Sequence, residues 1–326
     1  MKRTYYDIEE ESIDSLNSSM DCIVTQVSKR LRIDNDRSFT SDSTDSPNVT
    51  CYNESHSSKT CDCLMINFAT GKPQESKPWL SQCCDPLYEY HVFLRNKEEQ
   101  DYHRKMGSIL PRLTNQYITR HRATCSEWLL QLAENMNACS GTVHMSCQLM
   151  DRFLSKCPQF PRLQYQLLAA TCFWVSCKRE ESDHVSAQLN ISNLITYCYD
   201  QFKKEHFIYM EELLLNTLEW KLSEVSPVQF LHLYSSSICE ADRERVVACA
   251  QLMVDYQLQN MTALGDFLPS LIAASALHTA LVCLGLPQLS EELFFNTTWY
   301  KLPQMAQCSR ILYDYYHEST RDEGQH

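Results

Sequence analysis

Glycine is nearly missing from this chain. Six occur in 326 residues, and between Thr119 and Ser319 there are only Gly141, Gly265 and Gly285, each lying between helix-like segments. That scarcity excludes Gly-rich phosphate cradles, dinucleotide-binding turns and most tight hairpins together. It points to an all-helical chain. Positive charge is also in deficit: 29 Lys and Arg face 41 Asp and Glu, a formal net charge of -12. So acidic a chain repels phosphate backbones, and nucleic acid is not an expected partner. Long apolar runs are missing too. "LPSLIAASALHTALVCLGL" is broken by Pro269, His278 and polar Ser and Thr, and no run reaches the ~18 residues of a membrane span. No membrane partner is expected.

Chemistry-bearing patterns are equally scarce. His144 precedes Asp151 at a spacing with no catalytic signature. His184, His206, His232 and His278 stand alone on ordinary segments, and no H-x-x-x-H zinc pattern occurs in the ordered part. The chain is therefore read as a non-enzyme with no cofactor and no catalytic residue of its own. Its 17 cysteines are an odd number and lie singly in apolar periodic segments, as at Cys125, Cys147, Cys172, Cys249 and Cys283. Buried free thiols in a reducing compartment fit that distribution better than a disulfide framework. A soluble intracellular protein is expected, and triplets such as Asn48-Val49-Thr50 are chance glycosylation matches.

What is present is 44% hydrophobic content, enough for two cores, distributed very unevenly. Residues 1–80 are rich in Ser, Asp, Asn and Thr, as in "DNDRSFTSDSTDSPNVT", and read as a disordered regulatory tail. Within it "KRLRI" (Lys29 to Ile33) is a small basic cluster suited to nuclear import or docking. Ser46-Pro47 is a minimal site for a proline-directed kinase. Cys51, His56, Cys61 and Cys63 are zinc-ligand types at a spacing that matches no defensible pattern.

Helical periodicity begins near Trp79. Asp85 and Pro86 supply a cap and a first-turn proline, and Leu87, Tyr90, Phe93 and Leu94 then share one apolar face. "TRHRATCSEWLLQLAENM", "SGTVHMSCQLMDRFLSK", "RLQYQLLAATCFWVSCK", the shorter "QLNISNLITYCY" and "KKEHFIYMEELLLNTLEW" make five helices. Ser226-Pro227 starts a second set, which runs to "KLPQMAQCSRILYDYYHES". The predicted units are 81–222, 223–318 and a short tail, 319–326. The sets echo one another. "LLAATC" (Leu167 to Cys172) returns in type as "LIAASA" (Leu271 to Ala276), each in the third helix of five. In that register Val282 occupies the place of Lys178. The repeat keeps the packing residues and drops the charge, so the fold itself does not require Lys178.

Lys178 ends its helix in "SCKREES". Glu211 lies at the edge of the buried face of the fifth helix, beside Met210, and in a compact bundle the two can meet at one rim. Asp151 and Arg152, flanked by Met150 and Phe153, form another charged pair. The plain reading of all four is a solvated face with internal salt bridges, which stabilise by only ~0–1 kcal/mol when exposed.

At these residues the chain resembles a cyclin. "HRATCSEWLLQL", "MDRFLS", "RLQYQLLAATCFWVSCKREE" and "MEELLLNTLEWKL" follow the cyclin-box order near its spacing, and "YHVFLR" resembles the family's amino-terminal helix. "FLPSLIAASALHTAL" is similar to the second fold of mitotic cyclins, and "RLQYQLLAATC" to D-type members. The likeness covers about residues 85–318. It implies two tandem five-helix cyclin folds behind an amino-terminal helix, in a regulatory subunit that activates a cyclin-dependent serine/threonine kinase as a heterodimer in nucleus and cytoplasm. Lys178 and Glu211 match kinase-contacting residues, with Arg179 and Glu181 beside them; Arg122 and Asp151 match a supporting internal pair. The family's substrate-docking patch maps to His121, Cys125, Trp128, Arg162 and Gln166. Two departures stand out. Arg179 replaces a hydrophobic residue, and His121, Thr124 and Cys125 make the patch more polar than one that takes Arg-x-Leu peptides. No Arg-x-x-Leu destruction box occurs. A cyclin-fold scaffold or transcription factor similar to the TFIIB core, and a diverged cyclin that binds a kinase without activating it or binds no kinase, are the alternatives.

Overall fold

The structure, a computed structural model, describes residues 66–67, 72–73, 86–104, 116–181 and 190–323. The basic cluster, Ser46-Pro47 and the Cys/His group of the tail lie outside those residues. Within the tail, Ile66–Asn67 (β1) pairs antiparallel with Lys72–Pro73 (β2). All other regular structure among the described residues is helical. Helix α1 spans Pro86–Arg104, α2 Gln116–Met136, α3 Ser140–Lys156, α4 Tyr165–Glu180, α5 Ile191–Tyr197 and α6 Lys204–Thr217. A 3-10 turn, Arg162–Gln164, leads into α4. The second set is α7 Pro227–Ser235, α8 Glu240–Gln259, the short α9 Met261–Leu264, α10 Pro269–Cys283, α11 Glu291–Thr298 and α12 Leu302–Glu323.

Each set wraps a central helix. In the first, α4 packs against α2, α3 and α6; in the second, α10 packs against α7, α8 and α12. Both are buried nearly all round because small residues let neighbours approach closely: Ala169 and Ala170 in one, Ala273, Ala274 and Ala276 in the other. In α4 the polar residues bond their own helix: Thr171 Oγ1 donates to the Leu167 carbonyl at 2.7 Å and Ser176 Oγ to the Cys172 carbonyl at 2.9 Å. The expected echo is thus present in three dimensions. Helix starts follow local chemistry: Ser226 and Gln229 form a capping box with Pro227 in the first turn of α7, and Ser290 accepts from the Leu293 N–H on α11.

Helix α1 corrects the sequence reading. Its apolar positions Leu87, Tyr90 and Phe93 are 54%, 43% and 56% exposed, and of that stripe only Leu94 is buried. The buried face is His91, Leu94 and Glu98 instead. The reason is a polar seam against the second bundle. Glu98 accepts from the Ser270 N–H at 2.5 Å and from the Ser270 hydroxyl at 2.7 Å, capping α10, whose N-cap Leu268 has no side chain able to do so. Arg95 bonds Ser270 and, at 2.5 Å, the Tyr300 hydroxyl, while the His91 ring stacks on Trp299 with centroids 4.1 Å apart. Burial pushes the Glu98 carboxyl up despite Arg95 and Ser270.

The same helix holds the segment that joins the bundles. Lys97 Nζ donates to the Ser223 carbonyl at 3.1 Å, and Asp101 accepts from the Val225 N–H at 3.1 Å. Between the bundles, α8 packs on α2 and α3. There Asp255 Oδ1 sits 3.0 Å from His144 Nε2 and accepts from Ser140 Oγ at 2.6 Å and Gln251 Nε2 at 3.0 Å. His144 therefore serves an inter-bundle contact. Seven of the eleven described cysteines are buried, and all eleven are free, as expected of packed thiols. Among the described residues no helix is long and apolar enough to cross a membrane, and no metal-binding cluster occurs.

Candidate partner-binding surface

Helix α4 runs buried to Cys177 and then surfaces in three exposed charged residues, Lys178, Arg179 and Glu180. The helix neither frays there nor sends Lys178 into open solvent. Lys178 Nζ bonds Glu211 Oε1 on α6 and stands 3.7 Å from the centroid of the Trp174 ring, one turn back. A carboxylate on one side and an aromatic face below hold the ammonium in place. The rim expected from sequence is therefore formed. In the second bundle, Met305, Cys308 and Leu312 repeat the buried spacing of Phe207, Met210 and Leu214, which puts Ser309 where Glu211 stands. Val282, exposed, stands where Lys178 does. The charged pair belongs to one bundle only.

Two residues of this rim behave differently from the reading above. Arg179 Nε donates to Glu180 Oε1 at 3.1 Å, so its neighbour partly neutralises it. Glu181 reaches across to α3, accepting from the Cys139 N–H at 2.7 Å and the Thr142 hydroxyl at 2.5 Å. Cys139, the N-cap of α3, makes no side-chain cap of its own. Sequence reasoning also missed Trp220. It follows α6, the helix carrying Glu211, and is 68% exposed with a left-handed φ of 58°, the Trp220 N–H bonding the Leu215 carbonyl. A large aromatic after "NTLE" was legible as a surface candidate only if the helix was known to end there.

Asp151 and Arg152 are not a pair with each other, and neither is solvated. They project to different sides of α3: Asp151 meets Arg122, and Arg152 Nε lies 3.5 Å from Glu224. The Arg122–Asp151 contact is bidentate at 2.8 and 3.0 Å, and Arg122, 2% exposed, also bonds the Leu258 carbonyl at the end of α8. Burial alone would lower the Arg122 pKa; Asp151 more than reverses this. The pair thus ties the two bundles as well as supporting the first.

The patch residues divide. Cys125 is 3% exposed and faces inward, its thiol pushed up to about 12 by burial and then by Cys147. It presents nothing to a partner. His121, Trp128 and Gln166 are half-buried and Arg162 is exposed. The His121 ring stands edge-on to Tyr165, centroids 6.1 Å apart, which joins α2 to the start of α4.

Two family models match this chain: the cyclin N-terminal domain over residues 89–223 and the cyclin C-terminal domain over residues 225–326. The chain is a cyclin. Cyclin-B2-1 of Oryza sativa subsp. japonica is 25% identical over 240 residues, 71% of this cyclin and 52% of that protein. The G2/mitotic-specific cyclin-2 of Medicago sativa is 27% identical over 243 residues, 72% and 71% of the two chains. The G1/S-specific cyclin-D1 of Mus musculus is 27% identical over 189 residues, 57% and 62%. This cyclin spans about half the length of the rice relative. A viral cyclin from herpesvirus saimiri shares the fold, with a TM-score of 0.55 at 19% identity over 67% of this cyclin and 94% of that chain. Cyclins are regulatory, non-catalytic proteins.

Proposed function

We propose that this cyclin binds and activates a cyclin-dependent serine/threonine kinase and so regulates cell-cycle progression in nucleus and cytoplasm. The observation that carries the reading is the Lys178–Glu211 pair, held over Trp174 on an exposed rim and absent from the equivalent place in the second bundle. A prepositioned charge pair of this kind loses little side-chain freedom when a partner covers it. Arg179 extends the rim. Glu181 acts through the capping of α3 that fixes the chain after Lys178. Docking then works by population shift, stabilising the kinase conformation in which its own ion pair and activation segment are in place. Nucleotide and metal belong to the kinase. The face around His121, Trp128, Arg162 and Gln166 serves substrates or inhibitors.

The test is copurification with candidate cyclin-dependent kinases and assay of histone phosphorylation, beside Lys178→Ala and Glu211→Ala. Each variant should bind more weakly by about 2–5 kcal/mol, the cost of truncating one partner of a desolvated interface pair. Variants that bind and activate like the parent would show the assignment to be wrong. The Arg179–Glu180 ion pair favours a second reading, kinase binding without activation, which predicts a recovered complex with no gain in phosphorylation. Imaging of the tagged chain tests the compartment.

A further inference from the structure

Three basic groups gather where α2 meets the 3-10 turn before α4. Arg120 and His121 are consecutive on α2, and Arg162 opens the turn that delivers Tyr165 to the His121 ring. Arg120 and Arg162 are exposed. Among the described residues Arg120 makes no ion pair, whereas the nearby Arg122 is buried against Asp151 and belongs to the core. Besides burial, the charges of Arg162 and then Arg120 hold the His121 imidazole below its ordinary value, so both guanidinium groups act on one ring. Such a cluster stands out on a chain of net charge -12. Trp128, half-buried, lies along the same flank of α2 and gives the basic group an aromatic border.

We propose that this face docks a phosphorylated peptide segment, with Arg120 and Arg162 gripping the phosphate, His121 adding a ring N–H, and Trp128 bordering a neighbouring apolar side chain. The inference deepens the docking role proposed above and rests on that reading only for the origin of the peptide, a product of the partner kinase. A phosphate suits the site better than a carboxylate. It carries about -1.5 to -2 charge and three strong acceptor oxygens, enough for two guanidinium forks and an imidazole, whereas one carboxylate is used up by one fork. An Arg-x-Leu peptide suits it worst, because its arginine would meet Arg120 and Arg162. Glu127, the acidic group on this stretch of α2, lies on the flank of Arg120 but two turns, about 10 Å, further along the helix.

The test is fluorescence anisotropy on the full chain without kinase. The probe is a fluorescein-labelled peptide carrying one phosphoserine, a following proline and a nearby leucine. Its comparators are the unphosphorylated twin, a twin with glutamate for phosphoserine, and an Arg-x-Leu peptide. The phosphopeptide should bind tightest. Arg120→Glu and Arg162→Glu should each weaken it by about tenfold or more, with unchanged circular dichroism, and Lys178→Ala should leave it alone. A phosphopeptide no better than its unphosphorylated twin overturns the proposal, as does a folded Arg162→Glu variant of full affinity. Equal binding of the glutamate twin overturns phosphate selectivity in favour of acidic segments, and preference for the Arg-x-Leu peptide overturns the anionic site altogether. Kinase recovery is read separately through Lys178→Ala, so failure of either proposal leaves the other standing.

Discussion

Glu181, the residue just past the end of α4, caps helix α3: its Oε1 accepts from the Cys139 N–H at 2.7 Å. The Thr142 hydroxyl meets the same oxygen at 2.5 Å. The residues just after Lys178 are thereby anchored to the start of a neighbouring helix, where the helix dipole also favours a carboxylate.

Removing that anchor should be seen first in stability. Glu181→Ala is expected to cost about 1–2 kcal/mol, the range for loss of a helix cap, and Glu181→Gln clearly less because an acceptor oxygen remains. Thermal unfolding of the two variants checks this. If Glu181→Ala keeps the parent's melting temperature yet recovers no kinase, Glu181 is a direct contact instead.

Trp174 should matter to binding more than its half-buried position suggests. Trp174→Leu retains apolar volume but removes the ring 3.7 Å from Lys178 Nζ. A loss of about 0.5–2 kcal/mol in kinase affinity is expected, the range for a cation over an aromatic face. Titration calorimetry against the recovered kinase measures it.

The Arg122–Asp151 pair makes a stability prediction with a built-in rescue. Arg122→Met strands Asp151 and leaves the Leu258 carbonyl without its donor, so denaturant unfolding should show a loss of about 3–5 kcal/mol. The double variant Arg122→Met with Asp151→Leu should regain a large part, since no buried charge is then left alone.

His91 sets a pH dependence. Burial, and then Arg95, lower its pKa from 6.5 to about 3 in the folded chain. Between those values the unfolded state binds the proton and the folded state does not. Stability is therefore full above pH ~6.5 and falls as the pH drops towards 3, by at most about 1.4 kcal/mol per pH unit from this residue. His91→Phe, which can still stack on Trp299, should flatten that slope relative to the parent in unfolding titrations across the window. An identical slope in parent and variant would count against a neutral buried His91.

The helical class, the two bundles and the central pair of helices were legible because they depend on periodicity, small residues and caps that sit next to each other in the chain. Lys178 and Glu211 were legible because the repeat supplies an internal control: the same packing frame with Val282 in place of the charge. What was not legible depends on contacts between distant segments. Leu87, Tyr90 and Phe93 look like a core stripe until Ser270, Tyr300 and Trp299 draw the polar face of α1 inward. Asp151 and Arg152 look like one pair because they are adjacent, yet neighbours on a helix point to different partners. Cys125 carried two readings, a buried thiol from its apolar periodic segment and a groove residue from family position, and its 3% exposure decides for the first. Glu181 looked like a surface charge because nothing local shows that α3 lacks a cap of its own.

The Arg122 bond to the Leu258 carbonyl joins residues 136 positions apart. On a growing chain α2 is made long before the end of α8, so Arg122 has Asp151 within reach but lacks the Leu258 carbonyl until α7 and α8 have emerged. A chain cut between the bundles would keep the Arg122–Asp151 pair and lose the Leu258 acceptor. The buried arginine of one half of this cyclin is thus completed by the backbone of the other.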